Sequence, residues 1–214
     1  MPVRLLPKLY PILDTGVLDA RGFAIARAAE AFLEGGAEIL QLRHKQHWSR
    51  AAFDAAREIA RMCREAGALF VVDDRADIAM LLEAGLHVGQ DDLPPRDARR
   101  LTGADAIIGY SSHNVRQVCA AGGEPVDYVA FGPVFTTASK RNPDPVTGVE
   151  AIRECRALVE KPLVGIGGIT RETAQAVWAA GADSVALIGD LLPADLNSVS
   201  LRQRMEEWQR LATK

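Results

Sequence analysis

Short runs rich in Val, Ile and Leu alternate with alanine-rich segments of helical period along almost the whole chain. The apolar runs occupy residues 9–13, 38–42, 69–72, 86–88, 106–109, 128–131, 163–166 and 184–188. They lack clean polar alternation, so they read as parallel strands covered on both faces. Between them, residues 22–33 and 49–65 carry apolar positions at i, i+3, i+4 and i+7, the pattern of an amphipathic helix. Further helical segments are predicted at 76–83, 95–101, 115–121, 148–159, 171–180 and 201–211. Such an order predicts an α/β fold, a (β/α)8 TIM barrel in which each crossover helix shields the sheet. An open doubly wound sheet is the alternative, but eight units in one run favour closure. The expected organisation is one barrel domain over residues 1–214, since 214 residues fall below the roughly 250 typical of this barrel. Gly35-Gly36, Gly67, Gly85 and Gly181 precede strands and are expected as helix C-caps.

Charge decides what the barrel can bind. With 25 basic against 28 acidic side chains, the net charge is −3. That balance excludes a broad nucleic-acid or anionic-membrane surface, though not a compact anion site built from a few cations. No stretch approaches the roughly 18 apolar residues of a membrane span, and residues 1–8 lack the apolar core of a secretory signal. Cys63, Cys119 and Cys155 are widely spaced and read as reduced, packed thiols of a cytoplasmic protein rather than a zinc site.

In a barrel the chemistry belongs where strand C-termini meet their loops, and polar residues concentrate there. The second run leads into Gln41, Arg43 and Lys45, alternate residues that point the same way. Asp73-Asp74-Arg75 follows the third, Gln90-Asp91-Asp92 the fourth and Ser111-Ser112-His113-Asn114 the fifth. Thr136 to Arg141 opens a long loop, 136–147, after the sixth; Gly165-Ile166-Gly167-Gly168 and Ile188-Gly189 close the seventh and eighth. Carboxylates on neighbouring strand ends suit magnesium better than zinc. Glycine turns can offer backbone N–H groups to a phosphate, and Arg43, Lys45 and Lys140 could form a second anion clamp. Each signal has a plain structural counterpart: an Asp can cap the next helix, glycines make ordinary tight turns, and Arg43 and Lys45 can be surface charges. Their placement on one rim weighs against that set of readings.

At these residues the chain resembles the thiamine phosphate synthase family. The resemblance runs from Leu9-Tyr10-Pro11-Ile12 to about Leu191. It is carried by Gln41-Leu42-Arg43-His44-Lys45, Asp73-Asp74-Arg75-Ala76-Asp77, His87-Val88-Gly89-Gln90-Asp91-Asp92 and Gly132-Pro133-Val134-Phe135. The Thr137/Ser139/Lys140 loop, Val164 to Ile169 and Gly181 to Val185 complete the series. It implies joining of a hydroxymethylpyrimidine diphosphate to a thiazole phosphate, with release of pyrophosphate. By similarity, Asp74 and Asp92 hold Mg2+. Gln41, Arg43, Lys45, Ser111 and Lys140 surround the pyrimidine and its diphosphate, with Arg43, Lys45, Ser111 and Lys140 as the catalytic set. Thr137 and Ser139 lie near the thiazole phosphate and leaving group, and Gly168, Ile188 and Gly189 form the thiazole-phosphate cradle. The implied partners are those small molecules, with a homo-oligomer left open. Two positions depart from the family: Asp73 stands where asparagine is common, and Gly189 where serine is.

The histidines divide. His44 and His47 are expected in solvent and His87 as a hydrogen-bonded barrel residue, whereas His113 would suit proton transfer. A thiazole tautomerase of the same fold is therefore one competing activity. A non-catalytic phosphate-ligand binder is another, and neither has use for Lys45, Asp74, Asp92 and Lys140 together.

Overall fold

The computed structural model describes residues 6–137 and 144–213. Eight parallel strands close into a barrel in sequence order: β1 (Leu9–Asp14), β2 (Ile39–Arg43), β3 (Leu69–Asp73), β4 (Gly85–Val88), β5 (Ile108–Ser112), β6 (Tyr128–Phe131), β7 (Leu163–Ile166) and β8 (Ser184–Leu187). Leu9 pairs with Val185, so β8 closes on β1. The surrounding helices are α1 (Thr15–Ala20), α2 (Ile25–Glu34), α3 (Arg50–Ala66), α4 (Ala76–Leu81), α5 (Pro95–Thr102), α6 (Val115–Gly122), α7 (Gly148–Leu158), α8 (Ala174–Ala179) and α9 (Ser198–Ala212). A 3-10 turn, Gly189–Leu191, follows β8. Among the described residues, no helix is long and apolar enough to cross a membrane.

The strands are apolar on both faces because two separate cores need them. Tyr10, Ile12, Ile39, Val71, Tyr128, Ala130, Val164 and Ala186 fill the barrel interior. Leu13, Leu40, Leu42, Val72, Leu86, Val129 and Leu163 face outward into the layer shared with the helices. The two-residue period of each strand then places Gln41 and Arg43, two and four residues beyond Ile39, on the inward side at the C-terminal mouth.

Inside the barrel, large and small residues interlock. A Cβ on Gly109 would lie 2.0 Å from Cζ of Tyr128, so this glycine makes room for a phenol ring. Gly109→Ala should therefore lower stability by at least about 1–3 kcal/mol, the usual cost of overpacking, measured as a shift of the urea midpoint. A midpoint within error of the parent's would remove that account of Gly109.

Several expectations are corrected. The first helix does not begin at 22: α1 precedes it, with Asp14 capping the Val17 N–H at 3.0 Å, and six residues are too few for a periodic signal. The fifth strand lies at Ile108–Ser112 rather than 106–109, because ladders to Val88 and Phe131 extend it beyond its apolar residues. Gly85 is no helix cap but the first residue of β4, close against the Ile107 carbonyl. Glu83 takes the left-handed conformation there, at φ 53°. At the return into β2, Gly36 rather than the C-cap Gly35 is left-handed. Cys63 and Cys155 are buried, and burial pushes their thiols up to about 12 and about 11. Cys119 is exposed, on the outer side of α6.

Candidate active site

Arg43 and Lys45 leave the end of β2 and meet carboxylates from both neighbouring strands. Arg43 Nη1 pairs with Asp14 Oδ2 at the end of β1, and its Nε lies 3.7 Å from Asp73 Oδ2 at the end of β3. Lys45 Nζ lies 2.8 Å from the same Asp73 oxygen and also pairs with Asp74. These cations are thus a buttressed pair, not independent surface charges. Burial lowers the Lys45 pKa, but Asp73 and Asp74 outweigh it and hold the ammonium above its ordinary value. Asp73 is 5% exposed, and burial raises its carboxyl against the opposing pull of Lys45 and Arg43. Asp14, absent from the sequence-derived set, could have been noticed as the one charged residue ending an otherwise uncharged run, Leu9–Asp14.

Asp74 does not cap the following helix. Arg75 is the N-cap of α4, with no side-chain capping bond. Asp74 instead sits at φ 64°, inside a three-residue turn closed by Arg75 N–H donating to the Asp73 carbonyl at 2.8 Å. Such turns are rare and strained, and a non-glycine residue held there is a mark of function. Its own N–H donates to the His87 carbonyl at 2.8 Å, which binds the turn to β4. Asp92, beyond β4, accepts from the Gly89 N–H at 2.7 Å. Burial raises the Asp92 carboxyl, the Gly89 N–H opposes, and the adjacent Asp74 carboxyl raises it further. Two carboxylates brought together at a cost can serve as donors to a hard cation. Among the described residues no group of three or more His, Cys, Asp and Glu could hold a metal. Two protein carboxylates with water and phosphate oxygens are the usual environment of magnesium, so Asp74 and Asp92 fit that ion.

Gln41 and Ser111 lie on opposite sides of the same mouth. Gln41, 3% exposed, donates through Nε2 to Tyr10 Oη at 3.2 Å. Ser111 Oγ lies 2.8 Å from His87 Nε2, and its carbonyl accepts from Gln90 Nε2 at 2.5 Å. His87 is the barrel residue its sequence position implied. His47 is exposed as expected, but His44 is half-buried, 2.9 Å from Thr15 Oγ1 and edge-on to Trp48. His113 Nδ1 lies 2.9 Å from the Gly132 carbonyl and 3.4 Å from Asp144 Oδ2. Thr137 is half-buried at the last described position of its segment; Ser139 and Lys140 lie outside the described residues.

The glycine rim has two explanations. Gly168, at φ 63°, could not accept a Cβ, which would lie 2.3 Å from the Thr136 carbonyl. Its identity follows from the close approach of the β6 loop, whose Phe135 N–H donates to the Gly167 carbonyl at 2.9 Å. Ile188 is half-buried and leads into the 3-10 turn, while Gly189 is exposed, and a Cβ added there would meet nothing within 4 Å. A serine would fit at 189 without displacement.

A closed β/α barrel with paired cations and carboxylates on its C-terminal rim defines the class, a TIM-barrel enzyme. The family model of thiamine monophosphate synthase matches residues 9–191. Thiamine-phosphate synthase of Koribacter versatilis is 43% identical over 209 residues, covering 96% of each chain, and that of Moorella thermoacetica is 42% identical over 92% of this chain and 93% of its own. The solved thiamine phosphate pyrophosphorylase of Pyrococcus furiosus superposes with a TM-score of 0.84 at 30% identity, over 96% of this chain and 95% of its own. The chain belongs to the thiamine monophosphate synthase family.

Proposed function

We propose that this enzyme condenses 4-amino-5-hydroxymethyl-2-methylpyrimidine diphosphate with 4-methyl-5-(2-hydroxyethyl)thiazole phosphate, giving thiamine phosphate and pyrophosphate, in a magnesium-dependent reaction in the cytoplasm. The observation that carries the reading is the arrangement around Asp73: Arg43 and Lys45 on one side, with the crowded Asp74 and Asp92 carboxylates beyond. A diphosphate and its cation would satisfy both groups at once.

The thiazole nitrogen attacks the pyrimidine methylene carbon as the C–O bond to the diphosphate breaks, and pyrophosphate leaves with the bonding pair. Magnesium, when bound by Asp74 and Asp92, supplies charge neutralisation for the phosphate oxygens. Arg43 and Lys45, prealigned by Asp14, Asp73 and Asp74, stabilise the negative charge that grows on the leaving group. Lys140, from the loop after β6, is assigned to the same group of cations, and Thr137 and Ser139 to the thiazole phosphate and leaving group. Gln41 and Ser111 orient the pyrimidine, while Gly168, Ile188 and Gly189 receive the thiazole phosphate. The nucleophile is already a neutral nitrogen, so neither an enzyme nucleophile nor a strong base is required.

Incubation with both substrates, with and without magnesium, tests the reading. Thiamine phosphate and pyrophosphate in equal amounts, only with the metal, are expected. Isomerised thiazole alone would assign the tautomerase instead, and binding without turnover a ligand-binding barrel.

Asp73 at the family's asparagine position has a structural counterpart in its pairs with Lys45 and Arg43. Asp73→Asn removes a charge that competes with diphosphate for those cations, so kcat should stay within several-fold of the parent. A loss beyond about a hundredfold would make the carboxylate itself essential. Gly189→Ser should fold unchanged and lower KM for the thiazole phosphate a few-fold by one added hydrogen bond. An unaltered KM would show the hydroxyl to be dispensable.

A further inference from the structure

A continuous chain of polar side chains, buried except for the half-buried Ser111 at its end, runs through the barrel interior from β2 to β5. Gln41 Nε2 lies 3.2 Å from Tyr10 Oη, which lies 2.6 Å from Tyr128 Oη. Tyr128 Oη lies 3.0 Å from His87 Nδ1, and His87 Nε2 is 2.8 Å from Ser111 Oγ. The five residues come from β2, β1, β6, β4 and β5. The rings hold one another in place: Tyr10 meets Tyr128 edge-on at 5.7 Å, and His87 stacks on Tyr128 at 5.6 Å.

The inventory of donors gives this chain a direction. An amide nitrogen only donates, and each phenol has a single proton. Tyr10 accepts from Gln41, so its proton goes to Tyr128, and the Tyr128 proton goes to His87 Nδ1. The neutral imidazole then carries its hydrogen on Nε2 and donates it to Ser111 Oγ. Ser111 is left with its own proton to give, and Gln41 with Oε1 to accept. Both phenols are fully buried, and burial raises each well above the ordinary phenol value. They stay neutral and transmit orientation rather than charge.

We propose that Tyr10, Tyr128 and His87 are positioning residues that couple the two ends of the pyrimidine site, so that Gln41 presents an acceptor whenever Ser111 presents a donor. This rests on the assignment of Gln41 and Ser111 to pyrimidine diphosphate binding. A 4-aminopyrimidine brings a donor to Gln41, while its ring nitrogen or its diphosphate brings an acceptor to Ser111. The 4-oxo counterpart brings an acceptor to Gln41 but leaves the diphosphate unchanged. Accommodating it requires the amide to turn over, which breaks one bond of the chain or reverses every donor in it. The chain is thereby a selectivity device for the amino group, in which Gln41 and Ser111 meet the ligand and Tyr10, Tyr128 and His87 act through them.

Two measurements test this. In protein labelled with 15N at histidine, with His87→Asn identifying the resonances, the uncomplexed enzyme should show His87 protonated at Nε2 and bare at Nδ1. A His87 protonated at Nδ1 would overturn the proposed direction and with it the proposal. In the second, the 4-oxo analogue of the pyrimidine diphosphate is used as a competitor. The ratio of its Ki to the KM of the 4-amino substrate should fall by at least about tenfold in Tyr128→Phe, the equivalent of one buried hydrogen bond. Tyr10→Phe, which breaks the chain one bond earlier, should reproduce the effect and covers the case in which Tyr128→Phe does not fold. Loss of kcat in both variants with the ratio unchanged indicates a structural role only and rejects the coupling. If the parent enzyme does not use the pyrimidine diphosphate at all, the functional reading fails; the histidine tautomer still decides whether the directional chain exists.

Discussion

Replacing Asp74 by Ala or by Asn should abolish magnesium-dependent turnover, with a loss well beyond the roughly 100-fold typical of residues that merely support a metal ligand. The two variants separate charge from backbone. Asp74 is held at φ 64°, where alanine is disfavoured while Asn shares the tolerance of Asp for this conformation. Asp74→Asn should therefore fold as the parent does and still lose activity, because it removes a ligand charge and leaves Asp92 without its neighbour. Relief of that crowding should bring the Asp92 carboxyl down towards its ordinary value, since burial and the Asp74 carboxyl now raise it. Direct titration with Mg2+ or Mn2+ in the presence of pyrophosphate supplies the second readout, and binding should weaken in parallel with kcat. Full turnover by a folded Asp74→Asn protein would overturn the metal assignment.

Lys45→Ala should reduce kcat by about 10²–10³-fold, the range found when a single preorganised donor to a developing anion is removed. Lys45 is the group that contacts both Asp73 and Asp74, at 2.8 Å from the first and in close pairing with the second. On the proposed mechanism, its removal would withdraw the positive charge facing the leaving group and leave Asp73, 5% exposed, with Arg43 as its remaining cationic neighbour among the described residues. Both consequences oppose the build-up of negative charge on departing pyrophosphate. Lys45→Arg keeps the charge but not the compact geometry, and should recover only part of the rate. Pyrophosphate release at saturating substrates is the measurement. A kcat within threefold of the parent for Lys45→Ala would remove Lys45 from the transition state and leave Arg43 and Lys140 to account for catalysis.

The barrel was legible because hydrophobic period is local. Each strand needs only its own few residues to show that both of its faces are buried, and the runs at 128–131 and 163–166 coincide with β6 and β7. Where polar residues belong to a strand, that signal stops early. Tyr110, Ser111 and Ser112 are paired into β5 by their neighbours, and the apolar run ended before them. The site shows the same division. Gln41, Arg43 and Lys45 stood out by their alternate spacing at a strand end, and Asp73-Asp74 and Asp91-Asp92 by their place on neighbouring strand ends, with Asp74 and Asp92 singled out by the resemblance alone. The glycines were less informative: Gly168 is explained by the Thr136 carbonyl against it, and no local pattern distinguishes that need from a phosphate's.

What the sequence determined by itself was the order of the strands and of the helices after α1, the family resemblance and the rim on which the polar residues gather. The order and the rim follow from short-range period and from the ends of runs, and the resemblance from the motif segments that carry it. Only the tertiary structure decided which side chains meet. Asp14 braces Arg43 across β1 and β2, Lys45 reaches two carboxylates at the end of β3, and Asp74 takes a left-handed turn fastened to β4. Tyr10 and Tyr128, 118 residues apart, share a hydrogen bond inside the barrel. These contacts depend on closure and register, which set every strand end relative to all the others. That is a property of the whole barrel, and no single segment of the chain contains it.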